Sequence, residues 1–222
     1  PIRRCTYRDL RTRALRVAKA LRHEGVGIGD RIATMAWNTD RHVEVWYGIM
    51  GIGAICHTLN PRLFAEQLLY IINHAEDRIL FVDLTFVPIV EALAGKLPSI
   101  NKYIILTDDT HMPDTTLPNA IAYESWLAAH DADFAWASFD ENTAAGLCYT
   151  SGTTGDPKGV LYSHRSNVLH GLVGNQPDVF GLTSKHVVLP IVPMFHANAW
   201  ALTFSAPAAG ACMVMPGAGM DG

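Results

Sequence analysis

The chain has 222 residues, of which 49% are hydrophobic and 17% charged, and its formal charge at pH 7 is −4. This balance is typical of a globular protein with a buried core, and the absence of any basic run longer than Arg3-Arg4 disfavours nucleic acid as a partner. The four cysteines are scattered singly, and no stretch resembles a signal peptide or a transmembrane segment, so we expect a cytoplasmic protein.

Helix and strand signals alternate through the first half of the chain. A helix is predicted over residues 7–24, with Thr6 and Asp9 forming a capping box and Gly25 ending the apolar period. The following elements are predicted in order: strand 31–37, a helix over 40–50 capped by Asp40, strand 54–59, helix 65–74, strand 79–82, helix 86–94 and strand 103–106. This alternation predicts an α/β fold whose mostly parallel sheets are flanked by helices.

The second half of the chain begins with a segment that lacks an apolar period. Residues 107–118 are rich in Asp, Thr and Pro, which predicts a surface loop and makes the segment a candidate boundary between two subdomains. Further elements are predicted after it: a short helix over 123–129, strand 146–150, a glycine-rich loop, strand 160–162, helix 163–174, strand 186–189 and an apolar unit ending at 215.

The glycine-rich loop carries the strongest chemical signal. Residues 149–159 read Tyr-Thr-Ser-Gly-Thr-Thr-Gly-Asp-Pro-Lys-Gly and place four aliphatic hydroxyls, three glycines and one lysine between two apolar strands. Glycines let backbone N–H groups approach a ligand, hydroxyls add donors, and a lysine supplies a compensating charge. The composition therefore predicts a polyanion site that suits phosphate.

Two other interpretations of this loop fit its residues less well. A Walker A loop requires Gly-Lys-Ser/Thr directly before a helix, whereas Lys158 is followed by Gly159 and the β-branched Val160, so a P-loop kinase or GTPase is disfavoured. A plain hairpin turn rich in Ser, Thr and Gly needs only two to five residues, and this run is longer.

Four segments, in chain order, resemble the adenylate-forming superfamily, which contains acyl-CoA synthetases, luciferases and peptide-synthetase adenylation domains. Residues 149–160, followed by Ser163-His164, resemble its signature; residues 6–10 resemble its early Tyr-x-Glu-Leu element with Asp for Glu; residues 48–61 resemble its element ending in Asn-Pro. Residues 192–200, Val-Pro-Met-Phe-His-Ala-Asn-Ala-Trp, are similar to the form seen in medium- and long-chain fatty acyl-CoA synthetases.

The resemblance implies a two-step reaction with ATP, Mg²⁺ and coenzyme A. A carboxylic acid, here expected to be a fatty acid, would form an acyl-adenylate and then an acyl-CoA, although aryl and short-chain acids stay open. The catalytic residue would be His196, which also lines the substrate pocket, and Trp200 would wall that pocket; an ordinary histidine and plain core packing of the tryptophan are the alternatives. A magnesium contact is assigned to Thr150. The residues expected to bracket the β- and γ-phosphates are Thr150, Ser151, Gly152, Thr153, Thr154, Gly155 and Lys158.

The resemblance also bears on domain organisation. Members of the superfamily are more than twice this length, so residues 1–222 are expected to form an incomplete N-terminal AMP-binding domain, with the C-terminal domain and its catalytic lysine absent. The chain alone is then expected to be inactive. The alternatives are a truncated, non-catalytic nucleotide-binding or interaction module, and a phosphate-binding turn in an unrelated α/β domain; a homodimer is a further expectation.

Overall fold

A seven-stranded sheet organises the chain in the computed structural model, which describes residues 3–150 and 156–219. The strands of this sheet are β1 (Arg31–Met35), β2 (Ile55–Thr58), β3 (Ile79–Val82), β4 (Lys102–Ile105), β5 (Ala120–Ala122), β6 (Ala144–Tyr149) and β7 (Gly159–Ser163). The α-helices are α1 (Tyr7–His23), α2 (Asp40–Met50), α3 (Ala65–Ala75), α4 (Val87–Ala94), α5 (Tyr123–Ala128), α6 (His164–Gly174) and α7 (Leu202–Ala209). A second sheet pairs β8 (Val187–Val188) with β9 (Cys212–Met213).

The large sheet has the strand order β5-β4-β3-β1-β2-β6-β7. All neighbouring strands in it are parallel except β6 and β7, which are antiparallel and joined by the glycine-rich loop. The predicted α/β class with a mostly parallel sheet is thus confirmed. The three-residue edge strand β5 was not predicted, because so short a segment shows no apolar alternation and becomes a strand only through pairing with β4.

Helices cover both faces of this sheet, so that two buried cores form. Side chains that alternate along each strand point to opposite faces. One core packs strand residues against α1, α2 and α5, and the other packs their neighbours against α3 and α4. Ile32, Phe81 and Ile104 belong to the first core, and Ala33, Leu80 and Ile105 to the second.

The helix starts show one confirmed cap and one correction. Thr6 and Asp9 form the predicted capping box of α1, with Asp9 N donating to Thr6 Oγ1 at 3.1 Å and Thr6 N donating to Asp9 Oδ2 at 2.8 Å. The cap of α2 is Thr39, whose Oγ1 accepts from His42 N at 3.2 Å, and the prediction of Asp40 was wrong by one residue. Asp40 instead occupies the first turn, where a carboxylate interacts favourably with the helix dipole.

Strands on both sides of residues 107–118 pair within the same large sheet. Whether this segment separates two subdomains stays a prediction. Across residues 3–150 and 156–219, no helix combines the length and apolar character needed to cross a membrane.

Candidate functional site

The carboxyl edge of the parallel sheet is where a ligand site is expected. Ligands of open parallel sheets bind outside the carboxyl ends of the strands, at the point where the strand order reverses, which here lies between β1 and β3. Because β6 runs parallel to β2, the end of β6 at Tyr149 lies at this same edge. The glycine-rich loop therefore leaves the sheet at the edge that suits ligand binding.

The two ends of the glycine-rich loop are joined at its base. Thr150 N donates to Lys158 O at 3.0 Å, directly beyond the β6–β7 pair of Tyr149 and Gly159. The side chains of Thr150 and Lys158 are exposed, whereas Pro157 is buried and anchors the returning chain. Ser151, Gly152, Thr153, Thr154 and Gly155 lie outside the described residues, so their predicted phosphate contacts stay predictions.

Tyr149, the last residue of β6, is held in place by contacts to His74 of α3 and His57 of β2. Its hydroxyl and His74 Nδ1 are joined by a hydrogen bond of 2.7 Å, and its ring lies 5.2 Å from the ring of buried His57. His57 Nδ1 is in turn 2.7 Å from Asp77 Oδ2, and both residues are fully buried. Burial, with a smaller contribution from Asp77, raises the pKa of Tyr149 to about 12, so this phenol stays protonated.

The segment that contains His196 approaches the sheet without regular structure of its own. Asn38, three residues beyond the end of β1, donates from Nδ2 to Pro190 O at 2.9 Å and to Val192 O at 3.0 Å, and its Oδ1 accepts from Met194 N at 2.7 Å. His196 itself is exposed, and its backbone N donates to Pro193 O at 3.0 Å. The histidine therefore ends a stretch that is bonded to the carboxyl edge of the sheet.

A side-chain link connects this segment to the strand that leads into the loop. Cys148 Sγ donates to Asn198 Oδ1 at 3.1 Å and lies 3.3 Å from Thr58 Oγ1. Burial raises the pKa of the Cys148 thiol, so it keeps the proton that this bond requires. Gly146 leaves room for the contact, because a Cβ at that position would lie 3.3 Å from Asn198 Nδ2. The end of the strand that leads into the loop and the segment that follows His196 are thus in contact at this edge.

Beyond His196 the backbone turns in the left-handed sense. Residues 197–201 all have φ between 44° and 58°, a region that disfavours residues with a Cβ. Asn198 tolerates this region better than most residues do, and its side chain is bonded to Cys148. Trp200 lies in this turn and is 53% exposed, so its predicted place in a substrate pocket stays a prediction.

Three further residues at this edge contact Phe195, the neighbour of His196, or the residue before it, Met194. Trp37 lies 6.1 Å from Phe195 between ring centroids, and the guanidinium carbon of Arg62 lies 5.9 Å from the Phe195 ring centroid. Asn38 completes the set from the backbone side. Sequence reasoning missed all three, although each directly or closely follows a buried strand, the position from which residues reach the carboxyl edge of a sheet.

The oxygen and nitrogen groups at this edge suit magnesium only when the ion is bound together with phosphate. Within residues 3–150 and 156–219, no three His, Cys, Asp or Glu side chains stand close enough to hold a metal ion together. Hydroxyls such as that of Thr150 are weak ligands alone, and Mg²⁺ commonly keeps several waters and binds through substrate phosphates. The residues present are therefore compatible with a magnesium–nucleotide complex rather than with a protein cage.

A separate cavity of about 630 Å³ lies between α1, α2, α6 and α7. Its walls are largely apolar and include Tyr7, Leu10, Tyr47, Leu172 and Phe204. The described residues that line it include none of the predicted site residues. The cavity is therefore distinct in its lining from the edge that carries the glycine-rich loop.

Comparisons with known proteins agree on one family. A family model described as "AMP-binding enzyme" matches residues 1–221. The chain is 46% identical over 221 residues to a medium-chain-fatty-acid–CoA ligase of Ectopseudomonas oleovorans, and 47% identical over 221 residues to a 3-methylmercaptopropionyl-CoA ligase of Ruegeria lacuscaerulensis. Both matches span the full length of this chain, but only 40% and 41% of the lengths of those two relatives.

A solved structure extends this similarity to the fold. The crystal structure of the anthranilate CoA ligase AuaEII in complex with anthranoyl-AMP superposes with a TM-score of 0.86 at 25% identity, over 98% of this chain and 41% of that one. The chain therefore spans about two fifths of the length of the proteins that it matches.

Proposed function

This chain belongs to the family of AMP-binding enzymes, and from that membership we propose that the natural protein activates a carboxylic acid of the fatty acid class, first to an acyl-adenylate and then to acyl-CoA. Family membership excludes the alternative of a phosphate-binding turn in an unrelated α/β domain. The observation that supports the proposal is the hydrogen bond of Cys148 Sγ to Asn198 Oδ1, which joins the strand that leads into the glycine-rich loop to the segment that follows His196.

The first step needs charge stabilisation on a departing pyrophosphate. A carboxylate oxygen attacks the α-phosphorus of ATP, the new O–P bond forms, and the bond between the α-phosphorus and the bridging oxygen breaks as pyrophosphate leaves. Positive and N–H donors aimed at that developing charge are the main contribution a protein makes. We assign this role to Lys158 and the loop donors, and we place His196 beside the α-phosphate and the carboxylate.

The second step forms the thioester. The coenzyme A sulfur attacks the acyl carbon, the C–S bond forms, and the C–O bond to AMP breaks while the thiol proton passes to solvent. When bound with the triphosphate, Mg²⁺ would neutralise part of the phosphate charge. The loop hydroxyls, with Thr150 at the described end, are the residues proposed to lie against it.

The acid is proposed by similarity. One relative is named for medium-chain fatty acids and another for 3-methylmercaptopropionate, a short acid, so the family match alone covers both classes. The form of residues 192–200 favours a fatty acid. A cytoplasmic location belongs to the same proposal.

Carboxylate-dependent exchange between ATP and pyrophosphate in the natural protein tests this function. We expect exchange with fatty acids and, for Lys158→Ala, a loss in kcat/KM for ATP of roughly 10- to 100-fold, because a positive donor to the phosphates is removed. The matched control is Lys96→Ala, an exposed lysine that precedes β4 and therefore lies towards the amino end of the strands, and it should leave exchange unchanged.

The outcomes separate the candidate functions. Absence of exchange with every acid, together with retained binding of ATP, would favour a non-catalytic nucleotide-binding module. The isolated 222-residue chain is expected to show no exchange, since it spans about two fifths of the relatives' length. Exchange by that chain would refute this part of the proposal.

A further inference from the structure

Asn38 is the residue on which the path of the chain before His196 depends. Its side chain is 2% exposed and uses one planar amide to bond three backbone groups of a single segment. Two donors reach Pro190 O and Val192 O at 2.9 and 3.0 Å, and the acceptor receives Met194 N at 2.7 Å. The three bonded groups alternate along the segment and end two residues before His196.

These three backbone groups have no second partner among the described residues. The segment forms no strand ladder between β8 and the left-handed turn, so a side chain replaces the bonds that a neighbouring strand would supply. A buried carbonyl or N–H group without a hydrogen-bond partner destabilises the folded protein. Loss of the Asn38 amide would leave all three backbone groups without their partner. We expect the backbone of this segment to adopt a different conformation in that case.

The neighbour of Asn38 reinforces the same position. The Trp37 ring packs against Phe195, and Trp37 Nε1 donates to Thr85 Oγ1 at 3.3 Å. Asn38 O also accepts from Gly217 N at 2.9 Å. The short turn after β1 is thus bonded on several sides and provides a fixed support.

We propose that Asn38 is a positioning residue for His196, because it holds the segment that leads to the histidine at the carboxyl edge of the sheet. This inference rests on the role proposed above for His196. Only an amide of this length presents two donors and one acceptor at these positions. Aspartate would keep the acceptor but face the carbonyls of Pro190 and Val192 with carboxylate charge.

Steady-state exchange in the natural protein tests the proposal. For Asn38→Ala and Asn38→Asp we expect kcat to fall by roughly 100-fold, because misplacement of a reacting group by about 1 Å can have that effect. The KM for ATP should change by less than about 3-fold, since the phosphate loop is untouched. Asn38→Ser, which keeps a small polar group, provides a milder variant if the others fail to fold.

A double-mutant cycle separates positioning from general damage. If Asn38 acts through His196, then Asn38→Ala combined with His196→Ala should be no slower than His196→Ala alone. If the double variant were instead slower by the product of the two single-variant losses in kcat, the proposal would be overturned. The control is Asn73→Ala, which removes a single amide contact to Lys96 O at 3.1 Å and should leave kcat unchanged.

Hydrogen exchange gives a readout that does not depend on activity. Asn38→Ser should accelerate amide exchange in the peptide over residues 190–196 by at least about 10-fold, because Met194 N–H loses its acceptor. Unchanged exchange there would sink the inference even if the enzyme were inactive. If His196→Ala kept full activity, the proposed role of His196 would be wrong and the inference about Asn38 would fail with it. The proposed reaction would then still be tested by the Lys158→Ala variant.

Discussion

At the residue scale, buried His42 shows how tertiary contacts fix a charge state. The residue is fully buried; its Nδ1 lies 3.0 Å from Trp37 O, and its Nε2 accepts from Trp46 Nε1 at 3.0 Å. These partners require a proton on Nδ1 and none on Nε2, a tautomer inferred from the bonding pattern. Burial lowers the pKa of His42 to about 4, so the ring stays neutral in the folded protein.

This pKa predicts a pH dependence of stability. Between pH 6.5 and about pH 4 the unfolded chain binds a proton at His42 that the folded chain does not, so the free energy of unfolding falls as the pH is lowered through this window. At about 1.4 kcal/mol per pKa unit, the effect is roughly 3 kcal/mol. Urea-unfolding midpoints measured from pH 7 to pH 4 should fall less steeply for His42→Gln. Equal slopes would contradict the prediction, and His170→Gln, at an exposed site on α6, is the control.

Some single residues were predictable and others were not. The capping box at Thr6 and Asp9 is a local pattern, and the structure confirms it. The roles of Thr150, Lys158 and His196 are expected from motifs and stay predictions. His42 lies in a helix whose apolar period gives no sign of a buried imidazole, because its partners come from β1 and the turn after it. Local patterns identify residues, whereas partners distant in the chain decide their states.

At the scale of elements, α1 and α2 pack in close contact at Gly48. A Cβ added to Gly48 would lie 2.4 Å from Val17 Cγ1, so the glycine lets the two helices meet. A glycine inside a helix would ordinarily reduce helix stability by up to about 1 kcal/mol relative to alanine. Close packing is the reason why the glycine is tolerated here.

Gly48→Ala is therefore expected to destabilise the protein by about 1–3 kcal/mol despite the better helix propensity of alanine. Val17→Ala in the same background should recover part of this loss, because the smaller side chain makes room for the added methyl group. The measurement is the free energy of urea unfolding for both single variants and the double variant. Gly95→Ala, with no atom within 4 Å of the added Cβ, should have little effect. Strict additivity of the two changes would argue against the contact.

At the scale of the whole molecule, large exposed apolar side chains are concentrated in the later part of the described chain. They occur on β7, on α6 and in the segments that follow, and include Leu161, Val168, Leu169, Leu172, Val173, Val187 and Ile191. Apolar surface of this extent commonly marks an interaction surface.

We predict that the isolated 222-residue chain associates with itself in a concentration-dependent way, because association removes this apolar surface from water. Sedimentation velocity should show species larger than the 24.3 kDa monomer. Leu169→Glu combined with Val173→Glu, one turn apart on the exposed side of α6, should reduce association, whereas Leu84→Glu on another surface should not. A purely monomeric chain at high concentration would contradict the prediction.

The sequence by itself determined the fold class, most helices and strands, the glycine-rich loop and the order of the four family motifs, because these depend on short-range periodicity and on residues close together in the chain. Only the tertiary structure decided that β6 lies beside β2, that Asn38 bonds the segment before His196, and that Cys148 joins Asn198. These contacts join residues 50 or more positions apart, and no local pattern records which distant backbone group a side chain meets. Motifs in the sequence therefore name candidate residues, whereas the contacts around the sheet decide which segments lie side by side.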